Sequence, residues 1–246
     1  MNLTRISAES LASWKSFLRK RTAVFFTFLF PIILVCIFSF IVGTQTSGLF
    51  SEESAYYVAS YISIVILFTP ISRMSMTVAR GRDSSLFQKL CTTPLTPTEW
   101  LLAHSVTIFI ICLFSTIIVL TIASILTDFV FIFPLTIVLF LFLGSLLFCN
   151  IGVIIGGITK SQDGAIAASN SIALPLLFLS DTFIPLSYFP NWFVPLISFS
   201  PLTPFSRAAR EIFISSTFPL TGFVSLVLLN IMAFAIGSYL LPFYGD

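Results

Sequence analysis

Seven stretches of the chain, residues 22–51, 54–72, 101–127, 129–159, 164–180, 182–206 and 212–245, contain no Asp, Glu, Lys or Arg. A helix that crosses a bilayer needs about 20 apolar residues, and most of these runs reach that length. Composition agrees with this pattern. Of 246 residues, 57% are hydrophobic and 9% charged, whereas soluble domains carry roughly 25% charge. Disorder is excluded as well, because it requires low hydrophobicity and high net charge, and the formal charge here is +2. The chain reads as an integral membrane protein. Its first apolar run is longer than the roughly 7–15 residues of a secretory signal core and lacks a small-residue cleavage pattern after it, so it reads as a retained anchor.

The expected fold is all-α and polytopic, a single domain over 1–246, with spans near 22–42, 56–77, 101–126, 132–155, 164–180 and 219–242. Counted near the span ends, Arg5, Lys15, Arg19, Lys20 and Arg21 precede the first span, Arg73, Arg80, Arg82 and Lys89 are counted with the loop after the second, and Lys160 follows the fourth. Only Arg207 and Arg210 fall on the other side. The positive-inside bias therefore places the N-terminus in the cytoplasm, and six spans return the C-terminus there. The expected location is the plasma, or inner, membrane.

A seventh span over 182–206 would put all the cations on one side. Proline argues against it: Pro185, Pro190, Pro195, Pro201 and Pro204 fall in that stretch, and each interior proline removes a helix hydrogen bond and crowds the previous turn. Irregular backbone at membrane depth survives only inside protein or beside a water-filled cavity. Residues 182–217 are therefore expected to form short helices re-entering from the outer face. Before the first span, Leu11, Trp14 and Leu18 recur at i, i+3 and i+7, with Lys15, Arg19 and Lys20 elsewhere on the wheel. Residues 1–21 fit a helix lying flat at the cytoplasmic interface, and equally a plain basic anchor.

The charged inventory limits the chemistry. Ion-driven carriers place ionisable groups within the membrane to hold the coupling ion. Here Glu52, Glu53, Asp128, Asp181 and Glu211 fall in outer segments, and Glu9, Asp83, Glu99, Asp163 and Asp246 in inner ones. His104 sits about one turn into the third span, as a polar edge residue does. No GxSxG, HExxH or GxxxxGK[ST] motif is present. Cys36, Cys91, Cys112 and Cys149 form no CxxC pair, so neither a disulfide framework nor a metal site is indicated. No catalytic residue and no cofactor are expected in this chain, and no nucleic-acid partner. Energy for uphill transport would come from another subunit.

Residues 80–99 form the most informative inner loop. Asp83 is a suitable N-cap, Leu86, Phe87 and Leu90 share a face, and Thr93 precedes Pro94, which disfavours helix. A two-turn amphipathic helix is expected there, followed by Thr98 as cap of the third span. Such a helix suits a docking element or one resting on headgroups. Arg80-Gly-Arg-Asp, then Leu86-Phe-Gln-Lys-Leu, then Thr92-Thr-Pro-Leu-Thr resembles the inner loop of type-2 ATP-binding-cassette (ABC) transporter permeases. A second match, Leu174-Pro-Leu-Leu-Phe-Leu-Ser-Asp with Phe189-Pro-Asn-Trp, Pro201-Leu-Thr-Pro and Arg207-Ala-Ala-Arg, resembles that family's C-terminal signature. Two departures stand out. Asp181 replaces the family's usual Gly, and Gly81 stands where a Glu is usual, with Asp83 supplying the acid.

The resemblance implies a coupling helix seated on a separate ATPase subunit, with Asp83, Leu86, Phe87, Lys89 and Leu90 at the contact and ATP and Mg bound by that subunit. It also implies two permease copies, identical or sister, with a path between their second and fifth spans. Tyr57, Tyr61 and Phe68 of the second, and Ser169, Asn170 and Phe178 of the fifth, are the candidate path residues. Aromatic faces with scattered hydroxyls suit an amphiphilic, lipid-linked, glycan or drug-like cargo, and suit helix packing equally. Gly152 and Gly156 form a GxxxG packing pattern, and Asn150 and Asn230 are expected to bond between helices. On the outer side, Arg207 and Glu211 are spaced as an exposed i, i+4 pair, and Arg207 with Arg210 could instead contact a departing anion. The function expected is that of an ABC exporter permease; an ATP-independent channel or facilitator is the alternative.

Overall fold

The computed structural model describes residues 3–21, 24–25, 27–29, 32–33, 36, 50–83, 96–127, 134–159, 161–182, 189–192, 194–215 and 217–240. The architecture is all-helical, without strands among the described residues. Helices α1 (Leu3–Arg19), α2 (Phe50–Asp83), α3 (Pro97–Thr127), α4 (Leu135–Ile158), α5 (Gln162–Phe178), α6 (Val194–Phe199), α7 (Thr203–Ser215) and α8 (Leu220–Leu240) follow in order. Four segments are long and apolar enough to cross a bilayer: Tyr56–Arg82, Thr98–Ile125, Leu135–Ile158 and Leu220–Gly237. Most of the expected first span lies outside the described residues, although those described between 21 and 36 are helical. The expected fifth span is α5, whose 17 residues rise about 26 Å, near the lower limit for a hydrocarbon core of about 30 Å.

Helix α2 is the centre of the bundle and packs most extensively on α4, then on α5 and α3. Glycine makes the closest approach possible. A Cβ at Gly152 would lie 2.8 Å from the Ile71 carbonyl, and one at Gly156 only 2.5 Å from that of Ser75, so the GxxxG pattern acts in packing. Ile62, Ile66, Ile71 and Met74 of α2 are completely buried together with Phe140 and Phe148 of α4. Asn230 of α8 donates from Nδ2 to the Leu143 carbonyl of α4 at 3.0 Å, the interhelical bond expected. Asn150 is fully buried, but its side chain finds no hydrogen-bond partner among the described residues.

Local chemistry sets the helix limits. At the start of α3, Thr96 Oγ1 accepts from the Glu99 N–H at 3.3 Å and Glu99 Oε2 accepts from the Thr96 N–H at 3.2 Å. This is a capping box, with Pro97 in the first helical position, where its missing N–H costs nothing. Thr98, expected to cap this span, lies inside the helix instead. Asp83 is the last residue of α2, and the helix it is expected to cap lies outside the described residues. Ser161 caps α5 by accepting from Gly164 N at 3.1 Å.

No spanning helix occupies 182–206 among the described residues. The chain turns at 191–192 and again at 200–202, and α6 between them has six residues. Pro201 lies in the second turn, while Pro195 and Pro204 sit in the first turns of α6 and α7, where proline is tolerated. Helix α7 is amphipathic and buries Phe205, Ala208, Ala209 and Ile212 against α2, α8 and α4. At the other end, α1 docks on α3: Ser10 Oγ donates to the Ala103 carbonyl at 3.1 Å and Thr107 Oγ1 donates to the Ser10 carbonyl at 3.2 Å. Trp14 stacks on Phe114 with ring centroids 6.0 Å apart, and Phe17 is buried. Leu11 and Leu18 stay exposed, so the apolar stripe of α1 divides between protein and surroundings.

Candidate functional site

The end of the bundle where the chain leaves α5 holds a buried ionic cluster. Asp181, just past α5, has a side chain only 2% exposed, and its Oδ2 lies 3.1 Å from Arg207 Nε and 3.3 Å from Arg210 Nη1. Ser206 Oγ donates to Oδ1 at 2.5 Å. The Asp181 carbonyl accepts from Tyr56 Oη at 2.9 Å and from Arg210 Nη2. Above the Tyr56 ring lies the Arg210 guanidinium, 4.0 Å from its centroid. Next to it, Ser60 Oγ donates to the Thr182 carbonyl at 2.5 Å. A buried carboxylate is tolerated only when paired and hydrogen-bonded, and here α2, α7 and the exit from α5 all supply partners.

This geometry gives the two arginines of α7 a shared partner. Among the described residues, both Arg207 and Arg210 pair with Asp181, and the i, i+4 pairing of Arg207 with Glu211 is not formed. The reason is dielectric: Glu211 is exposed and attracts weakly, while the desolvated Asp181 attracts strongly. Arg210 is committed to the cluster, with 14% of its side chain exposed, whereas Arg207 is 45% exposed. The sequence showed one acid and, 26 and 29 positions on, two arginines in an otherwise apolar segment, but not which of them pair.

The candidate path residues separate into two sets. Tyr61 and Ser169 are buried, Tyr57 and Phe68 are partly buried, and Asn170 and Phe178 are exposed. Ser169 Oγ lies 2.5 Å from Ser75 Oγ between α5 and α2, and also donates to the Ala165 carbonyl at 2.6 Å. Tyr61 and Ser169 thus hold the bundle together. Helix α5 turns Ala165, Ser169, Ala173 and Leu177 inward, which leaves Ile166, Ala167, Asn170, Ser171, Leu174 and Phe178 exposed along its other side.

At the opposite end of α2, Arg82 Nη1 donates to the Gly157 carbonyl, tying the end of α2 to that of α4. Leu86, Phe87, Lys89 and Leu90 lie outside the described residues, as does the side chain of Asp83. Arg73, which the charge count assigned to a loop, belongs to α2; its Nη2 donates to Thr27 Oγ1 at 2.6 Å, and its guanidinium covers the Phe17 ring at 4.1 Å. His104 Nδ1 lies 3.1 Å from the Trp100 carbonyl on its own helix and the two rings are 4.4 Å apart, consistent with a local polar residue.

Four long apolar helices among the described residues, packed together through glycine contacts, define a multi-pass helical membrane protein. The chain belongs to the ABC-2 type transporter family, whose membrane-domain model matches residues 5–214. It is therefore a permease component of an ABC transporter, a membrane part and not itself the ATPase. A comparison with curated proteins found no match.

Proposed function

We propose that this chain is the permease of an ABC exporter in the plasma, or inner, membrane, acting as a pair of copies with a separate ATP-binding subunit and with both termini cytoplasmic. The observation that carries the transport path is the exposed face of α5. Beyond the first turn of α5, Asn170 and Ser171 stand exposed among apolar and small residues, and a polar amide facing lipid is costly. A second permease copy laid on this face would enclose Asn170, Ser171 and Phe178 in a shared path, with Tyr57 and Phe68 of α2 beside it. That lining suits an amphiphilic, lipid-linked, glycan or drug-like cargo. On the outer side, half-exposed Arg207 would meet any anionic group as it leaves.

Coupling is assigned to the loop of residues 80–99, which covers the junction between two membrane-length helices, α2 and α3. Closure of the ATP-binding subunits on ATP and Mg would press on Leu86, Phe87 and Leu90, with Asp83 and Lys89 at the rim, and would tilt α2 and α3 together. Phe87→Asp places a charge in an apolar docking contact. The expected result in proteoliposomes is loss of cargo-stimulated ATP hydrolysis and of transport, with the permease still folded. Unchanged stimulation would overturn the docking assignment, and transport that persists with an inactivated ATPase would favour a facilitator.

A further inference from the structure

The side of α1 turned toward α2 and α3 closes a cavity of about 340 Å³, within the size range of small-ligand sites. Lys20, Glu9, Arg73, Arg80 and His104 stand in its wall, three permanent or near-permanent cations against one carboxylate. Arg73 is fixed in place by Thr27 Oγ1 at 2.6 Å and by the Phe17 ring. Lys20 forms no ion pair among the described residues. Burial holds its ammonium below the usual lysine range, and the charges of Arg80 and Arg73 lower it further. Glu9 responds to burial alone, which raises its carboxyl above the usual range. Such a wall gains from an anion that bridges the cations.

The other flank of the contact between α1 and α3 supplies a second observation. There an apolar crevice of about 790 Å³ runs between Ile6, Leu11 and Trp14 of α1 and Val106, Ile110 and Phe114 of α3. A helix with an apolar crevice on one flank and a cationic cavity on the other is suited to the depth where acyl chains adjoin headgroups. We propose that the cavity binds a phosphate group, with Lys20 and Arg80 as its direct partners and Arg73 supplying fixed positive potential, and that the phosphate belongs to a membrane phospholipid. The site is separate from the α5 face, because α5 contributes nothing to its wall.

The test is titration of the purified full-length permease in detergent with short-chain phosphatidylglycerol and, separately, with inorganic phosphate, read by calorimetry. Saturable lipid binding is expected, weakened about tenfold or more in Lys20→Gln and in Arg80→Gln, the scale of one charge-assisted hydrogen bond. Lys15→Gln removes an exposed cation of α1 that does not line the cavity, and is expected to stay within about twofold of the parent. Inorganic phosphate that binds as tightly, and with the same dependence on Lys20, would overturn the lipid source while supporting the phosphate site. Equal weakening by Lys15→Gln and Lys20→Gln, or no saturable binding of either probe, would overturn the proposal. Binding is read without the ATPase, so its failure is distinguishable from failure of the transport assignment.

Discussion

Asp181 shows how much one buried charge organises. Its carboxylate neutralises two arginines that approach from α7, and its carbonyl receives Tyr56 from α2. Removing the acid strands Arg210, which is largely desolvated, so Asp181→Asn is expected to lower stability by about 3–5 kcal/mol, as for a buried pair broken on one side. Arg210→Gln should cost less, because the carboxylate keeps Ser206 and Arg207. Arg207→Gln should cost about 1 kcal/mol or less, given its exposure. Thermal unfolding of the three variants in detergent checks the order, and an equal loss in all three would refute it. The acid and both arginines were individually visible in the sequence. Their pairing was not, because the ion-pair partners are 26 and 29 positions apart, beyond any helical repeat.

At the scale of elements, glycine decides which helices touch. Gly152 and Gly156 let the backbones of α2 and α4 meet, while Gly237 of α8 faces Asn150 and Val153 across 3.6 Å or more. Gly156→Ala is therefore expected to cost about 1–3 kcal/mol through forced separation of two helices, whereas Gly237→Ala should be tolerated. Comparable unfolding midpoints for the two variants would contradict the contact described. The GxxxG pattern was legible because a small residue every fourth position is a local property of one helix. Capping was legible too, as Thr96-Pro97-Thr98-Glu99 is a capping box written in the chain, but the neighbouring Thr98 offered the same side chain and the wrong register. Arg73 escaped for a different reason. A cation four residues beyond Thr69 looks like the end of a span by charge alone, yet α2 continues to Asp83 because Phe17 and Thr27 accommodate its guanidinium.

For the whole molecule, the exposed side of α5 is the surface on which the proposed second copy would lie. In a background with Cys36 and Cys91 replaced by Ser, Asn170→Cys is expected to form a disulfide between two permease copies under mild oxidation, while Ala173→Cys, buried against the bundle, should not. Gel mobility without reductant reads the result. A monomeric Asn170→Cys protein, or equal crosslinking at both positions, would remove α5 from the proposed dimer contact.

Membrane class and all-helical fold were written in the chain itself, since absence of charge over runs of bilayer length is a one-dimensional property that water and lipid enforce on any arrangement of helices. The breaks around Pro195, Pro201 and Pro204 were legible on the same ground, because proline acts on its own backbone. What only the tertiary structure decided is partnership: Asp181 with Arg207 and Arg210, Ser75 with Ser169, Arg73 with Phe17, and α1 with α3. Each depends on which helices lie side by side, and that is settled by packing among surfaces of nearly uniform hydrophobicity, where periodicity carries little information about neighbours.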